Sequence, residues 1–359
     1  MKKVSIILLA VLVLMSAACT RQQGQRRGES FELALITDLG TIDDKSFNQG
    51  SWEGLVKYAR ENNISHKYYQ PSEQSDNAYL MTIDLAVRGG AKLIVTPGFL
   101  FSAAIFDAQD RYPNVKFVLV DALPSKDGVT RVAENTVGVL YAEDQAGFLA
   151  GYAAVRDGFR RLGFVGGMAV PAVVRFGYGF IEGAEYAAQD LRLAPGSVTV
   201  NYHYTGGFAA TPEAQALSAS WFNSGVEVIF ACGGAVGNSV MAAAEQAGRS
   251  VIGVDVDQSA ESQTVITSAM KGLQVSVYNS ISAFYDGNFP GGQTKVFSAE
   301  NDGVGLPMET SRFRSFNVDN YNAIYQRLAS NEFPRMENLA EGGSPSAVPV
   351  RILRVTEAR

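Results

Sequence analysis

Ile36-Thr-Asp-Leu-Gly-Thr-Ile-Asp-Asp-Lys-Ser-Phe-Asn-Gln-Gly-Ser-Trp-Glu-Gly-Leu55 joins a strand, a polar loop and the start of a helix. The apolar run Leu33 to Ile36 reads as a buried strand, and Trp52, Leu55, Val56 and Ala59 fall at helical spacing on one face. Between them stand three carboxylates, a ring and an amide: Asp38, Asp43, Asp44, Phe47 and Asn48. In open α/β sheets, ligands bind beyond the carboxyl ends of the strands, where loops feed helix N-termini. The spacing therefore predicts a small-molecule site in this loop.

Similar apolar runs recur with helical patterns between them: Leu33 to Thr37, Leu93 to Thr96, Phe117 to Val120, Leu162 to Val165, Val198 to Tyr202, Val228 to Ala231, Val251 to Val254 and Val265 to Thr267. Such alternation predicts parallel sheets built from βαβ units, an α/β class. The runs end in Asp38, Pro97-Gly98, Asp121, Gly166-Gly167, Gly233-Gly234 and Asp255. Two sheets whose strand ends face each other enclose a cleft lined by these groups. Glu143 to Gly151 reads as a helix opening a second lobe, with the first crossing near Val139 to Gly151 and the return near Thr264 to Lys271. A helix is predicted over Leu273 to Phe284, a first-lobe strand over Lys295 to Ser298, and a last crossing at Gly303 to Leu306. A closing helix over Tyr321 to Leu328 and a short strand over Val350 to Leu353 complete the reading.

The chain opens with two lysines, an apolar run from Val4 to Met15 and then Ser16-Ala-Ala-Cys19, the pattern of a secretory signal. Small residues before a cysteine resemble the bacterial lipobox, which implies acylation of Cys19 and a lipid anchor in the membrane. The run is shorter than the roughly 20 residues a membrane span needs. Residues 1–18 are thus expected as a signal peptide and 19–30 as a flexible, polar tether. Removal of residues 1–18 leaves 341 residues, a length that fits two lobes, and moves the formal charge from −6 to −8. With no basic block, nucleic acid is not an expected partner. Cys232 ends an apolar run and reads as a buried thiol packed as a small hydrophobe.

The loop wording Asp-Asp-Lys-Ser-Phe-Asn-Gln followed by Trp-Glu-Gly-Leu resembles the start of the basic membrane protein family, nucleoside-binding lipoproteins that serve ABC importers. The likeness continues through Val120-Asp-Ala122, Arg175-Phe-Gly-Tyr-Gly-Phe-Ile-Glu-Gly183, Gly253-Val-Asp-Val-Asp-Gln258, Thr267-Ser-Ala-Met-Lys271 and Gly303-Val-Gly-Leu306. In order, these motifs span nearly all of the chain after the leader. The resemblance implies the type I periplasmic binding protein fold: two doubly wound parallel-sheet lobes joined by a multi-strand hinge. The expected N-terminal lobe is 31–142 with 269–304, and the C-terminal lobe 143–268 with 305–359. It further implies ABC permease and ATPase partners, a place on the periplasmic or extracytoplasmic face of the cell membrane, and no catalysis by this subunit.

A nucleoside offers an aromatic base and a ribose diol without charge, so its receptor needs flat apolar faces and directed hydrogen bonds. In the family the base lies between two rings, and the matching positions here are Phe47 and Phe176. Carboxylates suit a diol because each oxygen accepts a hydroxyl proton. Asp255, at a strand end, is the ribose candidate; Lys271 matches the family lysine beside the sugar, and Asp121 a family position lining the same pocket. Asp38, Asp43 and Asn48 are expected at the base edge, and Gly234 offers a backbone group. The acids also fit a second role, since Asp43, Asp44 or Ser46 suits the cap of the following helix. The family likeness favours purine nucleosides such as adenosine, guanosine or inosine.

The sequence contains no Gly-x-x-x-x-Gly-Lys-Ser/Thr run, which excludes the P-loop ATPase that powers transport. Two histidines, His66 and His203, and no cysteine cluster argue against a zinc site, and no cofactor is expected. The same loop superficially resembles the calcium-binding opening of nucleoside hydrolases. Here, however, Ile36 replaces the first aspartate, and Thr41 and Ile42 intervene before Asp43, which undermines a shell of 6–8 oxygens. A surface lipoprotein acting mainly in macromolecular adhesion is the other alternative.

Overall fold

A computed structural model describes residues 30–38, 40–333 and 344–358 of the chain. The expected signal segment and the expected acylation site at Cys19 lie outside the described residues. The first part of the fold runs β1 (Leu33–Ile36), α1 (Phe47–Glu61), β2 (His66–Tyr69), α2 (Asp76–Arg88), β3 (Leu93–Pro97), α3 (Ser102–Arg111) and β4 (Lys116–Val120). A small hairpin, β5 (Ser125–Lys126) and β6 (Val129–Thr130), precedes β7 (Thr136–Tyr141). The second part runs α4 (Glu143–Arg156), β8 (Arg161–Gly166), α5 (Pro171–Asp190), β9 (Val198–Tyr204), α6 (Pro212–Asn223), β10 (Val228–Cys232), α7 (Val236–Ala247), β11 (Ser250–Asp255) and β12 (Val265–Lys271). The chain then forms α8 (Leu273–Tyr285), β13 (Gln293–Phe297), β14 (Val304–Gly305), α9 (Val318–Ala329) and β15 (Leu353–Glu357).

Two sheets result. The first has the order β13-β7-β4-β3-β1-β2, with every neighbouring pair parallel. The second has the order β14-β12-β11-β10-β8-β9-β15, parallel except where β14 meets β12. Parallel strands buried on both faces need apolar residues at successive positions, which is why the strand runs are continuous rather than alternating. Ala34 and Ile36 pack with Tyr79, Ile83 and Ile105 of α2 and α3, whereas Leu33 and Leu35 face the opposite way. On that other side a shared core joins first-sheet residues such as Val118 and Val139 to second-sheet residues such as Phe164 and Phe230. Trp221, Phe222 and Val240 cover the far face of the second sheet.

Sequence and structure differ at four strands. Two strands are additional: β2 is a His-Lys-Tyr-Tyr run on an outer edge, and β7, Thr-Val-Gly-Val-Leu-Tyr, ends one residue before α4, where the crossing was expected. Strand β12 pairs in the second sheet up to Lys271, so the return to the first sheet follows Lys271 rather than starting at Ala269. The last strand begins at Leu353, three residues later than the expected Val350. The cause is Glu185, whose buried carboxylate accepts the backbone N–H groups of Arg351, Ile352 and Leu353 at 2.9–3.1 Å and holds that segment before the strand starts.

The chain passes between the sheets three times, after Tyr141, after Lys271 and between Phe297 and Val304, and hydrogen bonds tie these passages side by side. Ala142 N–H donates to Phe297 O, and Gly272 N–H to Gly303 O, each at 2.8–2.9 Å. Beside them α4 and α5 cross at van der Waals closeness through small residues. A Cβ on Gly151 would lie 2.0 Å from Phe180 O, and one on Gly183 would lie 2.0 Å from Phe148 O. No side chain fits there, so backbone lies on backbone. Gly151→Val should lower stability by roughly 3 kcal/mol or more, because overpacking has no flexible neighbour to displace. A midpoint of chemical unfolding equal to that of the wild type would contradict this packing.

Candidate functional site

The carboxyl ends of β1, β4, β10, β11 and β12 converge on a cavity of about 470 Å³. Two of these ends turn by the same device. Asp121 after β4 and Asp255 closing β11 adopt φ of 64° and 69°, a left-handed conformation that aspartate tolerates better than most residues. Both side chains line the cavity together with Asp38, Asp44, Phe47, Asn48 and Lys271.

Lys271 ends β12 and is almost wholly buried, with its side chain 2% exposed. Its Nζ lies 2.5 Å from Asp121 Oδ2 and 3.1 Å from Asp255 Oδ1. The same ammonium sits 4.5 Å from the centre of the Phe47 ring and 5.3 Å from that of Phe176. Burial works to strip the proton from Lys271, but the charges of Asp121, Asp255 and Glu143 outweigh it and hold its pKa above the ordinary lysine value. Burial also pushes the Asp121 carboxyl up, against the pull of Lys271. Behind this cluster, fully buried Glu143 at the start of α4 accepts from Arg175 Nε of α5 at 2.6 Å.

The loop after β1 is held from inside. Ser46 Oγ donates to Asp255 Oδ2 at 2.6 Å. Asp44 accepts the backbone N–H groups of Ser46, Asn48 and Gln49 at 2.9–3.0 Å, which makes it the cap of α1 as well as a lining residue. Burial raises the Asp44 carboxyl to about 6, although these three donors work to lower it. Asp38 Oδ1 accepts from Gly40 N–H at 2.7 Å and from Asn48 Nδ2 at 3.2 Å. That second bond orients the Asn48 amide, because a carboxylate only accepts. Among the described residues, Asn48 Oδ1 is then buried with no hydrogen-bond partner, as is Asp121 Oδ1.

Eight of the nine expected binding residues line the cavity; Asp43 does not. Asp43 is exposed, since its neighbour Asp44 takes the inward capping position. Phe176 reaches the cavity but is only 1% exposed, set edge-on to Phe230 at 5.9 Å with Lys271 over its ring. Almost none of its ring surface is open. The partly buried ring on the second-sheet side is Phe208, in Thr205-Gly-Gly-Phe-Ala-Ala-Thr211 just past β9. A Cβ on Gly167 would lie 2.5 Å from that ring, so the glycine is what lets Phe208 lie down against the end of β8. The sequence signal for Phe208 was its place beyond another strand's carboxyl end. Leu100, Met168 and Val173 add apolar lining that no motif marked.

The arrangement binds rather than reacts. Acids outnumber the single lining lysine, so a phosphate group would meet net negative charge, whereas hydroxyls and N–H groups would find acceptors. Cys232 also lines the cavity, and burial pushes its thiol pKa well up, as befits an inert packed group.

A family model described as Bmp, ABC transporter substrate-binding protein PnrA-like, matches residues 31–334. Among curated proteins, the chain is 28% identical over 334 residues to "ABC transporter nucleoside-binding protein BmpA" of Lactococcus lactis subsp. cremoris, covering 86% of this chain and 91% of that one. It is 26% identical over 310 residues to "Basic membrane protein B" of Borreliella burgdorferi, covering 84% and 88%. A crystal structure of an ABC transporter solute-binding protein from Aeropyrum pernix K1 superposes with a TM-score of 0.74 at 23% identity, over 86% of this chain and 94% of that one. The fold is that of the type I periplasmic binding proteins.

The raised carboxyl of Asp44 fixes a sign for pH dependence. A carboxylate whose folded pKa lies above its unfolded value of about 3.9 stabilises the fold less as pH rises through that window. The stability of the wild type minus that of Asp44→Asn should therefore fall by about 2–3 kcal/mol between roughly pH 4 and 6 and stay flat above. Denaturation curves across that range check it; a difference that rises with pH would contradict the burial of this carboxyl.

Proposed function

Because the chain belongs to the Bmp family of PnrA-like ABC transporter substrate-binding proteins, we propose that it captures a purine nucleoside in the cavity between its two sheets and delivers it to a membrane permease. As a substrate-binding protein it serves a permease and ATPase and works outside the cytoplasm. No helix among the described residues is long and apolar enough to cross a membrane. The relatives are binding subunits rather than enzymes, which sets aside the calcium-dependent hydrolase. The Lactococcus relative is named a nucleoside-binding protein, and the lining of this cavity supports the same ligand class here. An anchor through acylated Cys19 remains part of the proposal.

The observation that carries the reading is the buried Lys271, set between Asp121 and Asp255 beneath the Phe47 ring. In this pose the ribose hydroxyls meet Asp255, Asp121 and Lys271, the base lies between Phe47 and Phe208, and its edge faces Asn48 and Asp38. Gly234, at φ 57°, supplies backbone beside the Phe208 loop. Residues 31–142 with 269–304, and 143–268 with 305–359, would act as the two closing lobes, the first boundary of the return shifting to follow Lys271. Stacking contributes roughly 1–3 kcal/mol per face and each bond to a charged group about 1.5–3 kcal/mol. A micromolar dissociation constant needs about 8 kcal/mol, within reach after ordering costs.

Titration calorimetry with guanosine, inosine and adenosine tests the reading. The nucleosides should bind, and their 5′-monophosphates at least about a hundredfold more weakly; heat from none of the nucleosides would refute it. Phe208→Ala and Phe47→Ala should each weaken binding roughly tenfold to a hundredfold, as loss of one stacking face requires. Wild-type affinity in Phe208→Ala would remove that ring from the pose. Asp255→Ala should abolish measurable binding, and binding that survives it would displace the ribose from this end.

A further inference from the structure

Gln258 lies outside the cavity, 1% exposed, three residues past β11. Its amide is divided between the two sheets. Oε1 accepts from Val254 N–H of β11 at 3.0 Å, and its backbone N–H donates to Ser268 Oγ of β12 at 3.0 Å. Nε2 points the other way and donates to Lys45 O at 2.7 Å, in the loop that follows β1 of the first sheet. With its oxygen committed to an N–H, the amide has one orientation that satisfies both ends.

Lys45 stands at φ 61°, a left-handed conformation that is unfavourable for a residue with a Cβ. It sits between Asp44, which lines the cavity and caps α1, and Ser46, which holds Asp255. A loop with this backbone needs an external hold, and the Gln258 amide supplies one at the strained residue itself. Gly253 makes room for it: a Cβ there would lie 2.4 Å from Gln258 Oε1. The close approach accounts for a glycine five residues before the glutamine in a strand that is otherwise apolar.

We propose that Gln258 is a positioning residue for ligand capture, latching the Asp44–Ser46 loop of the first sheet to the strand ends of the second. Ligand affinity then depends on a side chain that touches no ligand. The consequence for affinity rests on the nucleoside-binding reading above; the latch itself does not. Gln258→Glu is nearly isosteric and keeps the acceptor for Val254, but in its ionised form it cannot donate to Lys45 O, so it is compared with the wild type at a pH high enough to keep that buried acid charged. Gln258→Met keeps the length without either polar group, and carries the same comparison should the charged variant not fold.

Amide hydrogen exchange on the ligand-free protein reads the latch directly. Protection of the amides of Ser46, Asn48 and Gln49 should fall about tenfold or more in Gln258→Glu, as expected when one buried hydrogen bond is lost. The β11 amides that Gln258→Glu leaves bonded should be unchanged. In calorimetry with guanosine, the same variant should bind about tenfold more weakly, with Phe47 and Asp255 intact. Exchange that speeds only within β11 and β12, or loop protection equal to that of the wild type, would reduce Gln258 to a local strand tie and overturn the proposal. Wild-type affinity in a variant with a loosened loop would likewise overturn its role in capture. A wild type that binds no nucleoside would instead count against the function reading, and the exchange comparison would still decide the latch.

Discussion

A buried ammonium shared by two carboxylates from different sheets organises this molecule. Lys271 ends a second-sheet strand, Asp255 ends the strand beside it, and Asp121 follows a strand of the first sheet. Bringing these charges out of water is costly, and the mutual attraction repays it only where geometry is close and remaining lone pairs are met. The contacts at 2.5 and 3.1 Å meet the first condition, and Ser46 bonding to Asp255 meets part of the second. Asp121 Oδ1 does not find a partner. Under the proposed function, a ligand hydroxyl would meet that oxygen.

The rest of the architecture holds this cluster in place. Three side-by-side passages of chain join the sheets, and two helices packed backbone to backbone lie beside them. Glu143 opens one of those helices and Arg175 lies in the second turn of the other, so the acid that helps keep Lys271 protonated is fixed by the same glycine-lined crossing. Gln258 extends the arrangement to the loop after β1, which carries both the helix cap and the ring above the lysine. Groups that line the cavity from both sheets are thus held by contacts outside it, which would limit the ordering cost of capturing a ligand.

Strand ends were the legible part of the sequence. Asp121 and Asp255 follow or end apolar runs, and a parallel sheet sends such residues to one edge, so their convergence was legible in the sequence, whereas Lys271 was marked by the family resemblance alone. Side-chain direction within loops was not legible. Asp43 and Asp44 are chemically identical neighbours, and only the approach of three backbone N–H groups selects Asp44 as the inward one. Phe176 and Phe208 both sit near glycines, yet one lies on a helix facing Phe230 and the other on a loop against Gly167. Strand β2 escaped because an outer strand needs no apolar run, and the onset of β15 was hidden because a distant glutamate, Glu185, sets it.

Native mass spectrometry of freshly purified protein tests the central claim most directly, since a cavity built around a paired lysine should retain its ligand. Wild-type protein should carry an adduct with the mass of an uncharged nucleoside, and Lys271→Met should carry none. A phosphorylated or otherwise anionic adduct, or a nucleoside adduct that persists without Lys271, would contradict the account.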